Sequence, residues 1–368
     1  MNSHLLKVGF DAAALGRKLT GLEVTVYEIL KALPDFNLPF EFHIFCRILP
    51  EALSRLIDQP NIKIHFSPYS SQILTEQVWL PWKIQNLQLN GTHFPAFAPS
   101  LLISEKFILT IHDDVPWQMT STMSWKGRLY FKIPMQCMAS KATAIITDTL
   151  YHQKTLQKHL KLSHEPIVIP LAPRAFDMHP VMPMNISIKK PYILCVGSLE
   201  PRKNLPLLLE AFINLKEKYQ LSHQLIIVGR KAWIENKVFQ KLKEYEQQSY
   251  IILTDYVKED QLAWLYQNAA FFVLPSKYEG FGLTPLEAMA LGCPVISSNA
   301  ACLPEVLGKG ALFFENNNHH DLIEKMLYII THHTICKELS KKGQEWVKKY
   351  SWNNTTNSLL QLYEKIFV

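Results

Sequence analysis

Short apolar runs and helix-period patterns alternate along this chain, and the alternation restarts once. In the first half, Leu6–Phe10, Glu41–Phe45, Ile62–Phe66, Phe107–Ile111 and Ala144–Thr147 are mostly apolar or alternating, which predicts strands. Between the first two, Leu22, Val26, Ile29, Leu30 and Leu33 recur at helical spacing, so Gly21–Leu33 is expected to be a helix. Ile167–Pro170 closes this half. The second half repeats the pattern, with strands expected at Tyr192–Val196, Gln224–Val228, Ile251–Leu253, Ala270–Leu274 and Pro294–Ser297. Leu205–Tyr219 is the clearest helix among them. Trp346–Val368 is expected to be a helix broken near Ser351, Trp352 and Asn353. Strands alternating with helices predict α/β architecture with two doubly wound parallel sheets, whose ligands sit beyond the carboxyl ends of the strands. Between the halves, Pro173, Pro180, Pro183 and Pro191 mark a stretch of little periodicity, the expected linker. The expected domains are residues 1–172 and 173–350.

One loop concentrates chemistry. The apolar run Ala269–Pro275 leads into Ser276-Lys277-Tyr278-Glu279-Gly280-Phe281-Gly282-Leu283-Thr284-Pro285-Leu286-Glu287, followed by Ala288-Met289-Ala290-Leu291-Gly292. Two glycines let backbone amides approach a ligand closely. Thr284 is placed to cap a helix, with Pro285 at its first position and Glu287 three residues after Thr284. Gly292 is placed to stop it. A strand end, a Gly-rich loop and a helix N-terminus together suit a phosphate or another anion. Two carboxylates, Glu279 and Glu287, flank the loop. Glu287 also fits a capping box, and Glu279 a solvated loop residue. As a pair around an anion site, they would accept hydrogen bonds from a hydroxyl-rich ligand, so a phosphorylated polyol such as a nucleotide sugar is the chemistry indicated.

Composition narrows the field. The chain has 368 residues, 48% apolar and 19% charged, which describes a globular protein large enough for two domains. The net charge of +6 divides evenly, +3 in residues 1–172 and +3 in residues 173–368. No basic cluster with interleaved aromatics makes a case for nucleic acid. Mild basicity would suit docking on an anionic membrane surface. The six cysteines form no C-x-x-C pair and fit a reducing compartment. No secretory h-region and no membrane-spanning apolar run is seen, so a cytoplasmic location, peripheral to the inner face of a membrane, is expected. The pairs His319-His320 and His332-His333 have no third ligand beside them, and no metal or cofactor is expected.

The second half resembles the retaining glycosyltransferases of family 4, which have the GT-B fold. Glu279 to Glu287 is similar to that family's pair of glutamates with seven residues between, within Glu-Gly-Phe-Gly-Leu and Leu-Glu-Ala-Met-Ala. Val196-Gly197-Ser198-Leu199-Glu200-Pro201-Arg202-Lys203-Asn204-Leu205 resembles its first loop of the second domain. Leu303-Pro304-Glu305-Val306-Leu307-Gly308 resembles its segment after the next strand. The resemblance implies two Rossmann-like domains facing a central cleft, acceptor side first and donor side second, with residues 351–368 a final helix crossing back to the first domain. It implies that Arg202 and Lys203 neutralise the donor diphosphate. Gly280, Phe281, Gly282 and Leu283 would offer amides to phosphate and sugar. Glu279 would hold hydroxyls of the transferred sugar, and Glu287 those of the ribose. Val257 lies where the family cradles the base, with Asp255 in place of a commoner glycine. In the first half, Phe10-Asp11-Ala12-Ala13 and Leu19-Thr20-Gly21-Leu22 resemble the opening strand and donor-facing turn, although Glu23, Val24 and Thr25 replace the usual second glycine and arginine. Thr110-Ile111-His112-Asp113 resembles the family's His-Asp at a strand end, which makes His112 a catalytic candidate. Asp113 is expected to orient His112 or cap a turn.

The function implied is a metal-independent, retaining transfer of a hexose from a nucleotide sugar to a glycan or lipid-linked glycan. The wording around Arg202 is commonest in mannosyltransferase-like members, so GDP-mannose is the first donor expected. Two alternatives remain open, a non-catalytic nucleotide-sugar-binding or scaffold protein and a GT-B sugar-nucleotide epimerase or hydrolase. Donor turnover with an acceptor extract separates them. Oligomeric state is not legible.

Overall fold

The computed structural model describes residues 6–16, 21–119, 125–176, 179–184, 186–229, 243, 245–246 and 249–368. The chain divides into two compact units, one of Met1–Ala172 with Tyr350–Val368, the other of Pro173–Lys349.

The first unit is built on a seven-stranded, all-parallel sheet of order β3-β2-β1-β4-β5-β6-β7. Its strands are β1 (Lys7–Asp11), β2 (Glu41–Cys46), β3 (Ile62–Phe66), β4 (Gly91–Phe94), β5 (Phe107–Thr110), β6 (Ala144–Thr147) and β7 (Ile167–Val168). Five lie where the apolar runs predict strands, and β7 falls in the run Ile167–Pro170 that closes this half. The central β4 was not expected. Its Gly-Thr-His-Phe sequence has only one strong hydrophobe, yet all four residues are buried. Helix Leu22–Ala32 follows β1, its Val26, Ile29 and Leu30 buried. The final helix, Trp352–Phe367, opens on Ser351, whose side chain accepts from the Asn354 amide. It belongs to this unit. Tyr363 stacks on Phe42 with 6.2 Å between ring centroids, and Thr355 Oγ1 donates to the Pro170 carbonyl at 2.6 Å.

The second unit carries a six-stranded parallel sheet of order β10-β9-β8-β11-β12-β13. These are β8 (Tyr192–Val196), β9 (Gln224–Val228), β10 (Ile251–Thr254), β11 (Phe271–Leu274), β12 (Val295–Ser298) and β13 (Ala311–Phe314). Strands β8, β9 and β11 are buried throughout, as parallel strands covered on both faces must be. Edge strand β13 is another addition to the expected set. Helix Leu205–Tyr219 buries Leu205, Leu208, Leu209, Phe212 and Leu215, one face at helical spacing. That face joins Leu225, Val273, Leu322 and Met326 in the core.

The order 3-2-1-4 occurs in both sheets, with each crossover between neighbouring strands parallel. Two such Rossmann-like units make the fold GT-B, as the resemblance implies. In each unit the first strand lies between the second and the fourth, and the order reverses there. Loops leaving the carboxyl ends at that reversal are where this class of sheet binds ligands. Arg202 and Lys203 follow β8, and Glu279 follows its neighbour β11.

The stretch read as a linker is packed in part. Ile186 is buried, and the Val181 amide donates to the Asp260 carbonyl at 3.1 Å.

Candidate active site

Three residues from two loops of the second unit meet at one carboxylate. Lys203 Nζ donates to Glu279 Oε1 at 2.6 Å, and Arg202 Nη1 to Glu279 Oε2 at 3.0 Å. Ser276 Oγ adds a third donor to Oε1 at 2.6 Å. Glu279 is 5% exposed. Burial alone would push its carboxyl up, but the Lys203 and Arg202 charges and the donated bonds outweigh it and hold the group at about 2. Burial pulls the Lys203 ammonium down, assisted by Arg202 and opposed by Glu279. On its other side Arg202 Nε bonds Glu200 Oε2 at 2.8 Å, and Ser198 Oγ donates to Glu200 Oε1 at 2.5 Å. Two cations and two carboxylates thus form one compensated cluster.

The two loops are tied by backbone as well. The Lys277 amide donates to the Arg202 carbonyl at 2.7 Å. From β12 Ser298 Oγ donates to the Ser276 carbonyl at 2.6 Å. Cys302 Sγ lies 3.2 Å from the Glu279 carbonyl and 3.3 Å from that of Gly280, so its thiol pins the loop crest. Phe281 is buried. Gly282 sits at φ 100°, a left-handed conformation that favours glycine, and a Cβ there would also press Leu303 at 2.9 Å.

The helix after the loop spans Leu283–Ala290, with Gly282 rather than Thr284 at its cap position and no side-chain cap bond. The expected Thr284–Glu287 capping box does not form. Glu287 is buried, and its carboxylate turns to other partners. Tyr266 Oη donates to Oε2 at 3.0 Å, and Arg174 Nε stands 3.5 Å from Oε1. Burial pushes the Glu287 carboxyl up, with Arg174 and Tyr266 opposing it and Glu259 reinforcing it. Val257, the expected base neighbour, is buried just after β10. Gly292 follows the helix at φ 77°.

In the first unit, His112 follows β5 and Asp148 follows the adjacent β6. His112 Nδ1 is 2.7 Å from Asp148 Oδ2, and Nε2 is 2.7 Å from the Pro95 carbonyl. Burial would lower the His112 pKa. Asp148, by charge and hydrogen bond, with the Pro95 carbonyl and Asp113, raises it overall. With both ring nitrogens facing acceptors, the imidazolium is the favoured form. Asp113 has the lesser of its two expected roles. Its Oδ1 accepts from the Val115 amide at 3.1 Å in a turn, and Asp148 is the residue that orients His112. Behind them, His93 on β4 bonds Thr110 Oγ1 at 2.7 Å and Tyr363 Oη at 2.6 Å. Gly21 sits at φ 54° at the start of helix Leu22–Ala32. Its expected companions Leu19 and Thr20 lie outside the described residues. Among the described residues, no group of three or more His, Cys, Asp or Glu is placed to hold a metal ion.

Residues 183–346 match the family model for "Glycosyl transferases group 1". That segment, somewhat under half of the chain, is what resembles this glycosyltransferase family. It is similar to O-antigen chain mannosyltransferase B of Escherichia coli, 34% identical over 173 residues, 47% of this chain and 45% of that protein. The chain thus spans under half the length of that relative. An uncharacterized glycosyltransferase of Methanocaldococcus jannaschii is 27% identical over 365 residues, 94% of this chain and 95% of the other. Among solved structures, HepE of Anabaena in complex with UDP and glucose superposes with a TM-score of 0.73 at 14% identity, covering 98% of this chain and 100% of that one. That likeness concerns the fold, and it extends over both units.

Sequence reasoning missed four members of these sites. Ser276 and Cys302 are small polar residues beside apolar strands, with nothing in their types to mark them. Asp148 stands in Thr147-Asp148-Thr149, an ordinary helix-start sequence. Arg174 falls in the proline-rich stretch. Only strand adjacency, which brings the residue after β6 to the residue after β5, could have indicated Asp148.

Proposed function

We propose that the protein is an active, retaining hexosyltransferase that takes its sugar from a nucleoside diphosphate, with GDP-mannose as the first donor to test. The observation that carries this reading is the single Glu279 carboxylate shared by Lys203 and Arg202. A compact cluster of this kind can receive a diphosphate on its cations and sugar hydroxyls on its carboxylate. The mannosyltransferase relative supports mannose, and the UDP and glucose in the Anabaena complex support a nucleotide-sugar donor.

In the reaction proposed, the bond from sugar C1 to the diphosphate oxygen breaks while the acceptor oxygen bonds C1 on the same face. The acceptor proton goes to the departing diphosphate oxygen. Lys203 and Arg202 stabilise the charge that develops there, by charge-assisted hydrogen bonds. Lys203 has three donor hydrogens, of which one is committed to Glu279. Glu279, ionised, orients the sugar, and Glu287 accepts from the ribose hydroxyls. His112 is assigned as a further catalytic group, its imidazolium favoured by Asp148 and the Pro95 carbonyl. No step requires a metal, and transfer is expected to persist in EDTA.

The acceptor proposed is a glycan or lipid-linked glycan, reached from a membrane surface. Ile73, Leu74, Val78 and Trp82 are exposed along one helical stretch, which supports peripheral contact with lipid. Among the described residues no helix is long and apolar enough to cross a membrane.

The deciding experiment incubates the protein with GDP-mannose or UDP-glucose, an acceptor extract and EDTA, and reads the anomeric configuration of the product by NMR. Transfer with retention is expected. Donor binding without turnover across nucleotide sugars and acceptors would favour a non-catalytic binding protein. Inverted product, or activity restored only by magnesium or manganese, would overturn the mechanism.

A further inference from the structure

A carboxylate accepts from two ribose hydroxyls most readily when it is ionised. Glu287 is only 2% exposed, a setting that favours the neutral acid. The cation beside it among the described residues is Arg174, on the segment read as a linker. Its guanidinium is divided between two helices. Nη1 bonds Glu259 Oε1 at 3.0 Å, while Nε lies 3.5 Å from Glu287 Oε1. At that distance Nε is a counter-charge rather than a hydrogen-bond donor, and this buried atom has no hydrogen-bond partner. Arg174 thereby compensates Glu287 without occupying its Oε1 lone pairs. Tyr266 Oη takes only Oε2.

The surroundings fix Arg174 in place. Its Cζ is 5.9 Å from the Phe176 ring centroid, and Phe176 meets Tyr266 edge-on at 6.1 Å. Arg174, Phe176, Tyr266 and Glu287 thus close on one another. The titratable groups that face Glu287 and Arg174 are Glu259, Tyr266 and Tyr256. Glu259 raises the Glu287 carboxyl further, so Arg174 is the cation that opposes both burial and Glu259.

We propose that Arg174 is a positioning residue for the donor nucleotide, holding Glu287 ionised and aimed so that the ribose hydroxyls of a nucleoside diphosphate can donate to it. The inference rests on the assignment of Glu287 to the ribose. It makes the first residues of the second unit part of the nucleotide site, not a passive connection.

Calorimetric titration of GDP and of UDP into the whole protein tests this, at pH 6.5 and 8.5, with R174M, E287Q and the double variant. R174M should weaken binding of the accepted nucleotide about 10- to 100-fold at pH 6.5, the loss expected for a hydrogen-bonded charge. Part of the loss should return at pH 8.5, where Glu287 without its counter-ion ionises again. In the E287Q background, R174M should change binding less than about twofold, because the charge it serves is gone. A loss that is equal at both pH values and undiminished by E287Q would overturn the positioning role. So would wild-type binding by R174M. Wild-type binding by E287Q would overturn the ribose assignment itself and the inference with it. Should R174M fail to fold, R174K carries the test. Its ammonium keeps the charge, so binding independent of pH is expected, and R174K binding that recovers only at pH 8.5 would overturn the proposal.

Discussion

The two units solve the same problem in opposite ways. Each sets an ion pair on loops that leave adjacent parallel strands, β8 and β11 in one and β5 and β6 in the other. In the second unit the acid is shared, with Lys203 and Arg202 converging on Glu279. In the first unit the base is shared, with His112 held between Asp148 and the Pro95 carbonyl. The Glu279 carboxyl is held far down and the His112 imidazole is pushed up, so each shift favours the charged form. The difference lies in redundancy. Glu279 has two cations and a hydroxyl, whereas His112 is bonded by one carboxylate and a neutral carbonyl.

That contrast is sharpest where one partner is removed. Glu279→Ala leaves Lys203 without its carboxylate and Arg202 with Glu200 alone in a largely buried site. A loss of about 3–5 kcal/mol of stability is expected, together with loss of transfer. Urea unfolding and a donor-turnover assay measure both. A change under about 1 kcal/mol would mean that water, not Glu279, compensates the cations. Lys203→Ala keeps the Arg202–Glu279 bond, so the fold should persist. Turnover should fall about 30- to 1000-fold, the cost of one charge-assisted phosphate contact in the transition state. A wild-type rate would break the assignment of the cations to the diphosphate.

His112→Ala is expected to lower turnover about 10- to 100-fold while nucleoside diphosphate binding stays within about twofold. Full activity would leave His112 with a structural role only.

The pH dependence of stability should carry opposite signs in the two units. Glu279 is depressed in the folded state, to about 2. Its contribution is present above the unfolded carboxyl value of about 4.3 and is lost as pH falls towards 2. His112 is raised, so its contribution is complete below the unfolded value of about 6.5 and is lost as pH climbs through the higher folded value. Asp148→Asn should flatten the alkaline limb, and Glu279→Gln the acid limb, in urea midpoints taken from pH 3 to 9. If Asp148→Asn alters the acid limb instead, the His112 pairing is misread. The smallest effect expected is from Tyr266→Phe, about 1 kcal/mol in nucleotide affinity from loss of one hydrogen bond to Glu287. Calorimetry would measure it.

The same contrast explains what was legible. The fold could be read because buried parallel strands are near-continuous apolar runs, as in Tyr192–Val196. It failed at β4, where Gly91, Thr92 and His93 are buried for reasons no local pattern carries. Thr92 and His93 face a packed interior, and His93 is satisfied by Tyr363, 270 positions away. In the second unit, Glu279, Arg202 and Lys203 stand in loops rich in glycine, proline and charge, so each announced itself. Their mutual pairing was not foreseen, because it depends on β8 and β11 being neighbours. Asp148 and Arg174 were invisible for the same reason. A side chain that acts on another side chain leaves its mark in space and not in local composition. Thr284 and Glu287 show the converse, a sequence suited to a capping box whose glutamate is drawn away by Tyr266 and Arg174.

The last helix has a consequence for how the chain is made. Phe367 lies against Gly91 so closely that a methyl group on Gly91 would overlap its ring, and Tyr363 completes the hydrogen bonding of buried His93. The first unit therefore lacks part of its interior until Trp352–Phe367 has left the ribosome. The second unit, Pro173–Lys349, is continuous in sequence and emerges in full beforehand. Synthesis is directional, so of the two units the one begun first receives its closing helix last.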